Sequence, residues 1–134
     1  VGIEDAPDHI LGYTIADDIG AGPVWFHGDF TSWRTKTSDS FAPVGPWIET
    51  DMDPHNVDII VRVNGREEQR GNTRDMVRNC YEILSGISRY CTLHPGDIIS
   101  TGSPSPSRPL KAGEVVEVEI PEIGVLRNAV RQGG

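Results

Sequence analysis

The stretch Val57-Asp58-Ile59-Ile60-Val61-Arg62-Val63-Asn64-Gly65-Arg66-Glu67-Glu68-Gln69-Arg70 decides the fold. From 57 to 63 the chain alternates, with Val57, Ile59, Val61 and Val63 on one side. That is the period of a strand with one face on a core. Asn64-Gly65 supplies the positive φ angles of a two-residue hairpin turn, and residues 66–70 read as the polar return strand. Gly71-Asn72-Thr73 give a break and a helix cap. From about Arg74 to Tyr90 the apolar residues Met76, Val77, Cys80, Ile83, Leu84 and Ile87 recur at helical spacing. Cys80 falls on that apolar stripe, as a core residue would.

Upstream, residues 9–18 read as a second strand. Leu11, Tyr13 and Ile15 point one way; Ile10, Gly12, Thr14, Ala16 and Asp18 point the other. The second face is mostly small, which leaves space beside the Asp18 carboxylate. An acid at a strand end next to open space suits a hard cation, although one carboxylate rarely holds a metal alone. Asp17, on the Tyr13 face, reads as a bystander. Residues 19–40 form a long irregular segment with Trp25, Phe26, Phe30 and Trp33, either a binding loop or a surface loop pinned by its tryptophans. The run 41–48 is apolar but broken by Pro43 and Pro46, as an edge or bend would be. Asp51-Met52-Asp53-Pro54-His55-Asn56 reads as a turn rather than a metal cluster.

Downstream, residues 93–97 form a turn, Ile98-Ile99 a short strand and 101–109 a Pro/Ser loop. Val116, Val118 and Ile120 then share one face of a strand, while Glu117 and Glu119 lie on a solvated one. Gly124-Val125-Leu126 begins a last strand. Many short strands, one main helix and long loops predict a β-rich α+β fold.

The chain has 134 residues, enough for one domain with a real core. Its net charge of -8 argues against nucleic acid, which needs a basic surface, but a local Lys or Arg still suffices for a small anion. No run of 18 apolar residues is present, so no membrane span is expected. Two cysteines, Cys80 and Cys91, make neither a disulfide framework nor a zinc motif. They suit free thiols in a reducing, cytoplasmic setting. The chain opens on Val1 and enters an apolar run within ten residues, so residues 1–134 are expected to be one domain lacking an N-terminal portion.

Several segments taken in order resemble the catalytic, C-terminal domain of the fumarylacetoacetate hydrolase family. They are Gly12-Tyr13-Thr14-Ile15-Ala16-Asp17-Asp18, then Lys36 with Asp39-Ser40-Phe41-Ala42-Pro43-Val44-Gly45-Pro46, then Val63-Asn64-Gly65, Gln69 and Gly71-Asn72-Thr73. Leu93 to Pro104, containing Thr101-Gly102-Ser103-Pro104, and Leu110 to Val118 complete the set. The closest motifs are those of the 2-hydroxyhepta-2,4-diene-1,7-dioate isomerase and acylpyruvate hydrolase-like members. The resemblance implies a mixed β-roll, a homodimer, and hydrolysis, isomerisation or decarboxylation of small 2-oxo or β-diketo acids. It also implies a cofactor: Mg²⁺, with Mn²⁺ or Ca²⁺ as alternatives. On this pattern Asp18 is a metal ligand, Lys36 the active-site lysine and Thr101 a substrate-binding hydroxyl.

The resemblance also has gaps. The family's Glu-x-Glu ligands and water-activating His/Glu pair belong upstream of the Asp18 strand, and Glu4-Asp5 has the wrong spacing for the former. After the metal acid the family continues Val-Ser-Ala-Arg-Asp, with Gln shortly after; this chain has Ile19-Gly20-Ala21-Gly22-Pro23, and Trp25 near the Gln position. Pro106 replaces a usual Gly. An oxyanion donor lost this way is worth roughly 3 kcal/mol. Three readings follow: a hydrolase or isomerase, a scaffold that keeps the fold without turnover, or a tautomerase or decarboxylase retuned to a bulkier substrate.

Overall fold

The computed structural model describes residues 1–20, 35–103 and 108–132. Gly22, Pro23, Trp25 and Pro106 lie outside the described residues. The elements are a 3-10 turn at Ala6–His9, β1 (Tyr13–Ala16), β2 (Val44–Glu49), β3 (Asp58–Val63), β4 (Arg66–Asn72), a 3-10 turn at Thr73–Asp75, α1 (Cys80–Ser88), β5 (Val115–Ile120) and β6 (Gly124–Ala129). The fold is therefore strand-rich with one main helix. A two-stranded sheet pairs β1 with β2, and a four-stranded sheet runs β4-β3-β5-β6. Every pairing among these strands is antiparallel.

The β3–β4 hairpin closes at Asn64 and Gly65, both with positive φ (52° and 79°), as the Asn-Gly pair requires. Val61 pairs with Gln69, but Arg62 pairs with Glu67, so Glu68 is the extra residue of a β-bulge. A bulge re-aims side chains. Here Glu68 reaches Arg108, 3.4 Å away.

Across the sheet Val61 faces Val118 and Val63 faces Val116, and Val118 faces Leu126. Val63, Val116, Val118 and Leu126, with Ile15 of β1 and Ile123 of the β5–β6 turn, form the core cluster, and Val61 packs against it. Ile15 and Ile123 are each 1% exposed; burying such a side chain stabilises by about 1.5–3 kcal/mol. Ile15 thus ties the small sheet to the large one. The other sheet face is charged: Glu119 pairs with Arg62, Glu117 with Arg127 at 3.2 Å, and Arg70 with Glu67 at 2.8 Å. Glu117 and Glu119 are cross-strand ion-pair partners there, each 28% exposed and sharing the face with buried Ile60, so it is charged but half-buried rather than solvated.

The helix is shorter than its spacing predicts. Asn72 caps the turn at Thr73–Asp75, and the α-helix begins only at Cys80, where Asn79 and Glu82 form a capping box. Val77 lies before that cap and is almost fully exposed. The first strand is also shorter than 9–18: the 3-10 turn takes His9, and β1 runs only from Tyr13 to Ala16. Ile98-Ile99 forms no strand. Asp53 accepts from the His55 backbone N–H at 2.9 Å, with His55 Nδ1 3.1 Å away, so 51–56 is a turn.

Candidate active site

A cleft of about 200 Å³ opens between β1, the sheet and the segment after Ile98. Thr14 to Asp18 form one wall, Ile99 to Ser103 another, and Ile59, Val61, Val118 and Ile120 an apolar floor with Gln69 among them. The floor follows from register: Val61, Gln69 and Val118 occupy one rung of the sheet. The wall follows from β1 ending at Ala16, just before two acids.

Asp18 lines this cleft, and so does Thr101. Lys36 joins them through Asp18, its Nζ lying 2.7 Å from Asp18 Oδ1. Both partners are open to water, at 45% exposure for Lys36 and 59% for Asp18. Asp18 and Thr101 thus share the cleft lining, and Lys36 is tied to it through its ion pair with Asp18.

Asp17 corrects the strand-alternation reading. It is not a bystander but a cleft-lining residue. Alternation stops because the strand does: the Asp17 N–H donates to Pro43 O, and the Ile19 N–H folds back to Asp17 O at 2.9 Å. The Asp17 Oδ2 atom is buried without a hydrogen-bond partner among the described residues. Burial pushes the Asp17 carboxyl above its ordinary range, and the Asp18 charge adds to that. The folded chain therefore holds a proton more tightly than the unfolded one, so stability falls as pH rises from the unfolded pKa to the folded one. Asp17→Asn is expected to melt higher than wild type at neutral pH, with the gap closing below the ordinary carboxylate pKa. Melting curves across pH check this, and a lower melting temperature for Asp17→Asn at neutral pH would overturn it. No sequence signal short of the end of β1 marks Asp17 as part of the cleft.

Behind β1, Tyr13 packs against α1, and Cys80 Sγ lies 4.0 Å from its hydroxyl. Burial holds the Tyr13 phenol far above its ordinary value, helped by hydrogen bonding with Tyr81. Burial also raises the Cys80 thiol, which makes it a poor nucleophile. It acts as a packing residue on the helix. Outside the cleft lining, Arg108 grips the Glu114 carboxylate through two nitrogens, at 2.9 and 3.0 Å. That fork ties the chain after the Ser103 wall to the turn preceding β5.

The donor set fits a divalent cation in part. Asp18 is an accessible carboxylate that already holds a cation, the Lys36 ammonium, and beside it Asp17 keeps an unpartnered acceptor. Among the described residues no three His, Cys, Asp or Glu side chains converge. Asp18 can thus be one ligand, and Mg²⁺ commonly completes such a shell with water and substrate oxygens.

The family model for the fumarylacetoacetate (FAA) hydrolase C-terminal domain matches residues 1–131, and the chain belongs to that family. The mitochondrial oxaloacetate tautomerase fahd2 of Xenopus laevis is 41% identical over 138 residues, covering 95% of this chain and 43% of the relative. The solved 5-carboxymethyl-2-hydroxymuconate delta-isomerase of Mycobacterium smegmatis superposes with a TM-score of 0.93 at 38% identity, covering 100% of this chain and 53% of that one. Maleylpyruvate hydrolase from Sphingobium sp. SYK-6, solved with manganese (II) and pyruvate, superposes at 0.87 with 34% identity, covering 100% and 49%. The chain spans about half the length of the curated relatives it matches. These relatives include an isomerase, a hydrolase and a tautomerase, so the chain sits in a family of enzymes. Among the described residues, no helix is long and apolar enough to cross a membrane.

Proposed function

We propose that this chain carries the catalytic cleft of an enzyme that acts on a small 2-oxo or β-diketo acid through its enolate, with Asp18 as a divalent-metal ligand. The observation that supports it is a cleft with an apolar floor lined by Asp18 and Thr101, with Lys36 held on Asp18. When bound, the cation, Mg²⁺ or its Mn²⁺ or Ca²⁺ alternatives, supplies Lewis-acid polarisation of the 2-oxo carbonyl. Lys36 places positive charge where the enolate oxygen develops. The Thr101 hydroxyl orients the substrate carboxylate by donating to it. Ile59, Val61, Val118 and Ile120 take the carbon chain and keep water from it.

Enolate formation is common to tautomerisation, isomerisation and C–C hydrolysis, so product analysis decides among them. Acylpyruvates and oxaloacetate are offered to the full-length protein with and without Mg²⁺ or Mn²⁺, and products are followed by NMR. Fragments indicate a hydrolase. Keto–enol exchange or a shifted double bond without fragments indicates a tautomerase or isomerase. No turnover above background with any substrate would sink the reading and leave a scaffold. The reading also carries a homodimer, which sedimentation tests. A reducing compartment such as the cytoplasm suits two free cysteines, one of them exposed.

A further inference from the structure

The Asp18–Lys36 pair runs past a glycine. Lys36 reaches its partner by lying across Gly20. A Cβ built at Gly20 would stand 3.1 Å from Lys36 Nζ and 3.4 Å from Cε. The first distance is a few tenths of an ångström tighter than ordinary contact and the second is at its edge, so a side chain at position 20 would nudge the ammonium from this place. Where the family pattern has serine, this chain has Gly20, and the missing side chain leaves room for the ammonium to settle on the carboxylate.

Asp18 accepts the ammonium through Oδ1, at contact distance. A divalent ion binding the same carboxylate would meet a positive charge already in contact with it, and like charges that close repel. We propose that the Lys36 ammonium is a tethered counter-ion that occupies the cation position on Asp18 until a divalent ion displaces it, with Gly20 as the seat that admits it. The proposal rests on the reading of Asp18 as a metal ligand. The exchange makes and breaks no covalent bond. The ammonium keeps its proton and leaves the carboxylate, and the metal takes its place. Loading the metal and freeing Lys36 for the substrate thus become one event. Gly20 is a positioning residue here, acting only through Lys36.

The size of the effect is bounded. Both partners are well exposed, and exposed pairs contribute at most about 1 kcal/mol, or roughly fivefold in affinity. Mn²⁺ binding to the full-length protein is measured by calorimetry for wild type, Lys36→Met and Gly20→Val. Both variants are expected to bind Mn²⁺ about two- to fivefold tighter than wild type, with the difference shrinking at high salt. A second readout does not use affinity. A zero-length carbodiimide joins a carboxylate to an amine only at contact, so mass spectrometry should find an Asp18–Lys36 amide in metal-free wild type. Its yield should fall with saturating Mn²⁺ and in Gly20→Val. Equal or weaker Mn²⁺ binding by Lys36→Met, or coupling that persists at saturating Mn²⁺, would overturn the proposal alone. No Mn²⁺ binding in any variant would overturn the metal reading of Asp18 and this proposal with it.

Discussion

Asp18→Asn in the full-length protein is expected to lose divalent-metal binding and, with it, turnover, while the fold survives. The substitution keeps the shape of the side chain and removes its charge. A neutral amide oxygen is a far weaker partner for a hard cation than a carboxylate. The loss should exceed the roughly 10–100-fold that follows from removing a hydrogen-bond partner behind a metal ligand. The fold should not suffer, because Asp18 is 59% exposed. Its ion pair with Lys36 stands in water, where such pairs contribute about 0–1 kcal/mol. Calorimetry with Mn²⁺ and a melting curve on the same sample read the two effects separately. Unchanged Mn²⁺ affinity would remove Asp18 from the metal site.

Lys36→Met is expected to separate the same two properties in the opposite sense. Methionine keeps much of the aliphatic stem and deletes the ammonium. If Lys36 faces the developing oxyanion, its loss should lower kcat by about 10²–10³, the scale of a deleted oxyanion donor. Metal binding should persist. The measurement is kcat and KM with the best substrate of the panel at saturating metal. A kcat near wild type would assign Lys36 a purely electrostatic role toward Asp18 and remove it from the chemistry. With both outcomes as expected, the two substitutions would assign metal retention to Asp18 and charge stabilisation to Lys36.

The parts of the fold legible in the sequence were those where a local signal and a long-range one agree. Asn64-Gly65 fixes the hairpin, and the alternation of Val57 to Val63 fixes which face meets the core. The same holds for Val116, Val118 and Ile120, whose buried face and charged reverse both appear as read. Helix length was less legible, because Met76 and Val77 continue the apolar spacing past a boundary set by the Asn79 cap. Ile98-Ile99 looked like a strand, yet two apolar residues between Gly96 and Thr101 find no ladder to join. Asp18 and Thr101, read from ordered motifs, both line the cleft. Asp17 lines it too but was not legible, since period-two reasoning assumes that the strand continues. The Glu68 bulge escaped for the same reason: an extra residue in a strand shifts every face after it, and nothing in Arg-Glu-Glu-Gln-Arg marks which residue is extra.

The charged reverse of the large sheet has a consequence for how a substrate arrives. Arg62, Arg70 and Arg127 are each committed to a carboxylate on that face, and Arg108 is held by Glu114 and Glu68. Their charge is spent locally and contributes little attraction at a distance. If the proposed reading holds, an anionic acid approaches a chain of net charge -8 against the long-range field, and the Lys36 ammonium beside Asp18 offers it a local positive charge. Capture would then be a short-range event, and raising the ionic strength is expected to quicken the encounter rather than slow it.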